Sequence, residues 1–365
     1  MIVQNTTVSL IICTYRRPTQ VARLLKALHQ QTESPQEIVV VDASPGPETE
    51  AMLHGIDIQR RGARLYYHRV SSEHRGLTRQ RNYGVAHARG ELIGFLDDDT
   101  VPEDDYFEEL LACARRHPDA AGIGGYITDG LKWRSAEPQS RASLSVFRFR
   151  EWECREDLRW RVRRVLNLAS PLAPGWMPAF GHGRSLRFVP PDGRDHQVEF
   201  VMGGASLWRR DVLQAHEFSR LFEGYGLYED LEFCLGVAHC GPLYLCTRAR
   251  LAHHHAPAGR PTALRLGEMV VRNGWFVWRR RWPAPPWPDH LRWWATTVVL
   301  ILCRYGNAVR GPARREALEE ATGRVGGILT VLWDALLRCM TMVPLLSRRY
   351  GRGRSDDSAR SSQTR

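Results

Sequence analysis

An α/β fold with a mostly parallel sheet flanked by helices is the architecture this 365-residue sequence predicts, and three observations predict it. Short apolar runs of strand length alternate with segments whose apolar residues recur at helical spacing. Two of the strand-like runs end in acid, at Asp42 and at Asp97-Asp98-Asp99, and open parallel sheets gather ligands at the carboxyl ends of their strands. Hydrophobic residues at 43% and charged residues at 25% are ordinary globular values, which excludes disorder, collagen-like fibres and simple coiled coils for most of the chain. At roughly 150 residues per domain the length fits two domains, or one large domain with an appendage.

The elements follow in order. Val8 to Cys13 reads as a buried strand, and it is too short and too poorly flanked to be a signal peptide. Thr19 to Gln31 places Val21, Leu24, Leu25 and Leu28 on one helical face. Glu37 to Asp42 is a second strand ahead of the turn-rich Ser44-Pro45-Gly46-Pro47, Leu65 to His68 a third, and Leu77 to Ala88 a helix. Leu92 to Leu96 is a fourth strand that runs straight into the three aspartates. Residues 132–198 hold basic, aromatic and Gly/Pro-rich stretches without a long period, which predicts an insertion shaping a pocket. Apolar order resumes at Phe200, passes through Val201 to Leu207, and continues in a helical segment fronted by Glu229-Asp230. A strand pattern then leads into His253-His254-His255.

After Trp275 the chain turns basic and aromatic, crosses a proline-rich link and enters two apolar helical patterns. The expected organisation is therefore a catalytic unit over 1–258 with 132–198 inserted, a helical region over 259–350, and a disordered tail over 351–365. Ile328 to Leu346 is long enough to span a bilayer, but Asp334 and Arg338 make a span costly, so surface attachment is favoured. The eight cysteines are scattered, with no CxxC pair and no zinc-ligand spacing; this argues for a reducing compartment and against a disulfide scaffold or structural zinc.

Three consecutive carboxylates repel one another and call for a counter-charge. Asp97, Asp98 and Asp99 suit a divalent cation, Mg²⁺ or Mn²⁺, whose remaining positions are filled by substrate phosphates; an acidic cap on the following helix is the alternative. Asp230, with Glu229 beside it, can take a proton from a hydroxyl nucleophile, or serve only as favourable charge at a helix start. One of the three histidines, His254 by preference, can complete a metal shell. Arg79, Arg81 and Asn82 offer fixed donors to a phosphate or a base edge, or lie solvated on a helix.

Taken in order, these segments resemble the family 2 glycosyltransferases, which have the GT-A fold and use nucleotide-sugar donors. The resemblance rests on Val8 to Pro18, Ile38 to Asp42, Gly76 to Asn82, Phe95 to Asp99, Val201 to Arg210, Tyr228-Glu229-Asp230 and the strand ending in histidine, and it covers about residues 6 to 255. It implies that Thr14 and Arg16 line a nucleotide pocket, that Asp42 bonds the base or ribose, and that Arg81 supports the nucleotide or its phosphates. It further implies that Asp97 and Asp98 reach ribose and metal, with Asp99 the firmest ligand of Mn²⁺ or Mg²⁺. Asp230 becomes the general base of an inverting transfer, with Gly203 and Gly204 near the acceptor. Leu235-Gly236-Val237 departs from relatives, which carry an arginine after the Glu-Asp pair, and 132–198 has no counterpart.

The implied partners are a nucleotide-diphosphate-sugar donor and a hydroxyl acceptor such as a polyprenyl-linked saccharide. The formal charge of +11 and the Trp/Arg clusters at 275–282 and 292–294 suit an anionic membrane surface or, equally, an amphipathic helical subdomain packed on the catalytic core, and the resemblance implies a peripheral place on the cytoplasmic membrane face. Such surface-polysaccharide or glycolipid synthesis has two rivals. A nucleotidyltransferase would carry a glycine-rich basic loop after its first strand, and Thr14 to Pro18 has no glycine. A nucleic-acid-binding protein would account for the charge but not for the ordered acidic elements, and no nucleic acid is expected as a partner.

Overall fold

The computed structural model describes residues 6–55, 62–137, 143–222, 224–254 and 259–350. Its first layer is the expected alternation. Strand β1 (Val8–Thr14) is followed by α1 (Pro18–Gln30), β2 (Glu37–Asp42), α2 (Glu48–Leu53), β3 (Arg64–Arg69), α3 (Leu77–His87) and β4 (Leu92–Asp97). Strands β3, β2, β1 and β4 lie side by side, all parallel. Strands β1, β2 and β4 are buried on both faces because helices cover both, which is why β1 and β2 read as unbroken hydrophobic runs, while β3 at the sheet edge is half-buried.

Beyond β4 the sheet becomes mixed. The chain adds β5 (Thr100–Pro102), α4 (Tyr106–Arg116) and β6 (Gly122–Ile127), then β10 (Asp195–Val198), β11 (Ala205–Arg209), α6 (Arg210–Ala215), α7 (Glu229–Gly236) and β12 (Leu243–His253). Strand β11 lies antiparallel between β4 and β6, β12 is parallel to β6, and β10 and β5 pair antiparallel with β12. The parallel part coincides with the stretch where helices separate strands in sequence. Past it, the returning segments carry the chain back without a crossover helix for each strand, and antiparallel neighbours result.

The insertion is a unit of its own making. Strands β7 (Trp133–Ser135), β8 (Val146–Phe149) and β9 (Trp152–Arg155) form a second, three-stranded sheet in the order β7-β9-β8, followed by α5 (Leu158–Val165). A small aromatic core of Trp160, Phe188 and Cys154 closes it, with the Arg184 guanidinium lying 4.1 Å over Phe147 and 4.3 Å over Trp160.

Three helices complete the chain: α8 (Ala263–Arg281), capped by the Thr262 hydroxyl, α9 (Trp287–Arg310) and α10 (Arg314–Tyr350). Here the structure decides between the two readings of the Trp/Arg clusters, in favour of a helical subdomain packed on the rest of the chain. Trp278 is 1% and Trp293 2% exposed; they stack on each other and pack with Trp275, Trp282 and Trp294. The Trp278 indole N–H donates to the Ala179 carbonyl at 2.7 Å, and Arg292 lies 3.7 Å over Phe180, so the cluster glues the helices to the insertion. Arg280 and Arg281 are held by Glu232 and Glu199. The exposed apolar residues stand elsewhere on these helices, Trp287 at 71%, Leu302 at 62% and Trp333 at 61% among them. Among the described residues no helix is long and apolar enough to cross a membrane. The expected tail, 351–365, lies outside the described residues.

Candidate active site

A cavity of about 960 Å³ opens at the carboxyl ends of β1 and β4, where the parallel half of the sheet meets β11 and α7. It is lined by Thr14, Arg17, Asp97, Asp98 and Asp99 on one side and by Gly203, Gly204, Glu229 and Asp230 on the other. The acidic elements that lie far apart in sequence thus share one hollow.

Within the aspartate triplet each carboxylate has its own surroundings. Asp98 is buried, accepts from the Thr14 hydroxyl at 2.7 Å and from the Arg17 guanidinium at 2.8 Å, and burial nevertheless pushes its pKa up to about 6. Both of its oxygens are engaged, so it positions Thr14 and Arg17 more than it faces a ligand. Asp99 accepts from His253 Nε2 at 3.0 Å and lies 3.6 Å from Arg17. Asp97 is the most open of the three; its carboxylate lies 3.6 Å from Arg81 and 3.9 Å from His253.

The histidine at this site is His253, in place of the expected His254. The antiparallel register of β12 with β5 sets His253 opposite Thr100, which turns its ring toward Asp99. His254, one residue on, is exposed and contributes only its backbone N–H, to the Asp99 carbonyl at 3.0 Å. His255 lies outside the described residues. Burial lowers the pKa of His253, but the hydrogen bond to Asp99 and the charge of Asp97 outweigh it and raise the pKa overall.

One oxygen from each of Asp97 and Asp99 and one nitrogen of His253 lie within 4.8 Å of one another. Two hard carboxylate oxygens and an imidazole on a shared, partly open point form a donor set suited to Mn²⁺ or Mg²⁺, with room left for substrate oxygens. The residues therefore fit the cation that the sequence implied, with His253 in the place given to His254.

Opposite the triplet, Gly203 and Gly204 bridge the two halves of the site. The Gly203 N–H donates to Asp230 Oδ2 at 3.3 Å, while the Gly204 carbonyl accepts from the Asp97 N–H at 3.1 Å. A side chain at either position would force its charged neighbours to move. A Cβ on Gly203 would meet Glu229 Oε1 at 2.8 Å and crowd Arg81, and one on Gly204 would collide with the Asp97 carboxylate.

Arg81 is the hinge of the charge network. It is buried, ion-paired to Glu229, close to Asp97, and lies over the Phe95 and Phe218 rings at 5.6 and 5.3 Å. It is thus committed to protein carboxylates, whereas the resemblance had it supporting the nucleotide. Burial and the charge of Asp230 push the pKa of Glu229 up to about 8 against the pull of Arg81. Asp230 is raised as well by burial, opposed by the N–H groups of Leu231 and Gly203 and by Arg81. It lines the cavity with its Oδ2 held only by the 3.3 Å contact to Gly203, and it is the carboxylate best placed to accept a proton from an incoming group. Tyr228, just before it, sits in the left-handed region at φ 71°, a strained start to α7 of the kind that persists where a site demands it.

Two expected residues are not brought to the cavity. Arg16 is exposed at φ 56°, its N–H donates to the Ser44 hydroxyl and its guanidinium lies over Tyr15, so the next residue, Arg17, points inward. Asp42 is fully buried and spends both oxygens inside the fold, on the Ser44 N–H at 2.8 Å and the Tyr67 hydroxyl at 2.9 Å. Residues not anticipated are Arg75, Arg187 and Arg260, which add cationic lining. Cys13 also lines the cavity, but burial pushes its thiol up to about 12, which removes thiolate chemistry near neutrality.

Comparison with known proteins gives the family. Residues 9–215 match the profile of the family described as Glycosyl transferase family 2. EpsH of Bacillus subtilis is 34% identical over 119 residues, 31% of this chain and 31% of its own. The succinoglycan biosynthesis protein ExoM of Rhizobium meliloti is 30% identical over 115 residues, 31% of this chain and 36% of its own. The matches thus span about a third of the length of these relatives. Among solved structures, S. aureus TarS in complex with UDP-GlcNAc is similar at a TM-score of 0.46 and 12% identity, over 87% of this chain and 90% of that one. GalNAc-T7 with UDP, GalNAc and Mn²⁺ is similar at 0.48 and 15% identity, over 73% and 48%.

Proposed function

The chain belongs to glycosyl transferase family 2, and from that premise we propose that it is an inverting, metal-dependent glycosyltransferase that moves a sugar from a nucleotide-diphosphate donor to a hydroxyl acceptor. The observation that carries this reading is the pairing, across Gly203-Gly204, of a free-facing carboxylate at Asp230 with the Asp97, Asp99 and His253 donor set. A cation held by Asp99, Asp97 and His253 would supply positive charge to the leaving diphosphate. Arg17, Arg75 and Arg260 line the same end of the cavity and add cationic donors for the phosphates.

On the other side Asp230, ionised, accepts the proton of the acceptor hydroxyl. The hydroxyl oxygen attacks the anomeric carbon, the bond from that carbon to the phosphate oxygen breaks, and the electron pair leaves on the nucleoside diphosphate. Glu229 holds Arg81 in place, and the Arg81 charge opposes the repulsion between Asp97 and Asp230. The buried Arg81 is thus a positioning residue between the two halves.

For the acceptor we favour a lipid-linked saccharide such as a polyprenyl-linked one, met on the cytoplasmic face of the membrane during surface-polysaccharide or glycolipid synthesis. The support is the +11 charge together with exposed apolar residues on α9 and α10. Purified protein incubated with Mn²⁺, UDP-, GDP- and dTDP-sugars and a membrane lipid extract should release nucleoside diphosphate from one donor only when lipid is present. Release of pyrophosphate from nucleoside triphosphates instead would overturn sugar transfer in favour of nucleotidyl transfer.

A further inference from the structure

Away from the cavity, three soft ligands that the sequence separates meet at one point. His216 closes the carboxyl end of α6, and His239 and Cys240 form the turn between α7 and β12. Cys240 Sγ lies 3.5 Å from His216 Nε2 and 3.6 Å from His239 Nε2, and one ligand atom of each residue falls within 4.8 Å of the others. None of the three lines the catalytic cavity. We propose that His216, His239 and Cys240 form a second metal site, for Zn²⁺ or a similar borderline-soft divalent ion, with its fourth position open to water.

The distances carry the argument. For a tetrahedral ion with metal–sulfur bonds of about 2.3 Å and metal–nitrogen bonds of about 2.0–2.1 Å, the sulfur-to-nitrogen edge is about 3.5–3.6 Å. Both observed edges have that length. A hydrogen-bonding account would need one imidazole to accept the thiol proton and the other to donate its N–H to the sulfur, and a thiol is a weak partner in both roles. The two rings stand 79° apart with centroids 5.1 Å from each other, so they approach the shared point from different directions, as two ligands of one ion do.

The backbone already holds the ligands in place. The Cys240 N–H donates to the Val237 carbonyl at 2.8 Å, the His216 N–H to Val212 at 3.1 Å, and Arg209 bonds the Cys240 carbonyl at 3.3 Å. Cys240 and His216 are half-buried and His239 is exposed, which leaves an entry path. The donor set excludes hard ions: two imidazoles and a thiolate suit zinc and disfavour Mg²⁺ or Mn²⁺, so the two sites select different metals. Binding would exchange the thiol proton for the ion and release it to solvent. It would also clamp the end of α6 to the turn behind α7, the helix whose front end carries Glu229 and Asp230.

The test is a cobalt titration of the full chain, reduced and stripped with chelator. The expected result is one equivalent of tetrahedral Co²⁺ with a near-ultraviolet thiolate charge-transfer band, lost on adding one equivalent of Zn²⁺. The Asp97, Asp99 and His253 set has no sulfur and cannot produce that band. Cys240→Ser should abolish it, whereas Cys113→Ser, which alters the buried Cys113, Asp195 and Cys246 group, should leave it unchanged. His239→Ala, on an exposed residue that the fold does not need, should weaken Zn²⁺ binding in an indicator competition by at least about tenfold, a loss seen even for outer-shell partners. Absence of the band in the unaltered protein, its survival in Cys240→Ser, its loss in Cys113→Ser, or unchanged affinity in His239→Ala would each overturn the proposal.

Discussion

Asp230 and Glu229 are neighbours in sequence with opposite duties, and the difference comes from their partners. Glu229 is turned inward onto Arg81, while Asp230 keeps an oxygen toward the cavity. Asp230→Asn should therefore lower kcat by about 10²–10⁴, the usual contribution of a general base, with the donor KM little changed. Steady-state kinetics on the donor found above would check it; near-normal turnover would show that another group takes the proton. Asp99→Asn should instead remove the Mn²⁺-dependent part of donor binding, read by calorimetry with and without the ion. The raised pKa values add a prediction with a definite sign. Asp98 and Glu229 hold their protons more tightly when folded than when unfolded, so across the window from the ordinary carboxylate range to about 8 the folded state binds more protons. Their contribution to the stability of the chelated protein should then fall as pH rises through that window, opposed below the ordinary imidazole range by His182, which burial holds down to about 3, so that Glu229→Gln should flatten the slope above about pH 6.5. Urea midpoints across the pH series measure both slopes. At this scale the sequence revealed the residues that belong to compact local patterns: Asp97 to Asp99, Gly203-Gly204 and Glu229-Asp230. It misled at Arg16 and His254, where one step along the chain decides which side chain faces inward. That step is set by a positive φ at Arg16 and by the β12–β5 register, neither of which composition encodes. Asp42 misled for a related reason: a carboxylate two residues before a free N–H closes an Asx turn on itself.

Elements explain why the insertion was opaque. Its strands are three or four residues long, too short for a period-2 pattern to emerge, and ion pairs do the work that apolar alternation does elsewhere. Glu156 is the centre of that arrangement. It is buried, ion-paired to Arg164, and 2.7 Å from the Arg184 guanidinium. Replacing it by Ala leaves two guanidinium groups without their counter-charge, one of them fully buried among aromatic rings. The cost should be about 3–5 kcal/mol, visible as a lower Tm and as faster proteolysis within residues 143–198. Because Ser185, Leu186 and Arg187 line the cavity, the same variant should raise substrate KM more than it lowers kcat. Equal losses in both would mean that the insertion supports the chemistry rather than the pocket wall. Strands β1, β2 and β4, by contrast, were legible because helices on both faces demand unbroken apolar runs.

For the whole molecule, the proposed membrane attachment raises the question of which surface would meet a membrane. Tryptophan and arginine density pointed to 275–282 and 292–294, but density does not reveal whether rings face each other or a solvent boundary. They face each other: Trp278 and Trp293 are core, and Arg280 and Arg281 are neutralised by acids of the catalytic half. On α9 the exposed residues Leu291, Val298, Leu302 and Val309 recur at intervals of seven and four, an apolar stripe, and α10 exposes Leu329, Leu332, Trp333 and Leu336. A helix surface of this kind, on a protein of charge +11, is suited to lie in an anionic interface without spanning it. The two locations make opposite predictions. Replacing Leu302, Val309 and Trp333 together by Glu should leave thermal unfolding nearly unchanged, since all three are exposed, and lower partitioning onto anionic vesicles by more than about tenfold. Losing apolar contact worth about 1.5–3 kcal/mol for even one fully buried side chain is enough for that. Trp278→Ala should do the reverse, costing about 3–5 kcal/mol of stability through a core cavity. Vesicle cosedimentation at low and high salt, beside a thermal melt, separates them. If the triple variant still bound vesicles as the unaltered protein does, the stripe would not be the membrane face, and the lipid-linked acceptor would lose its structural support.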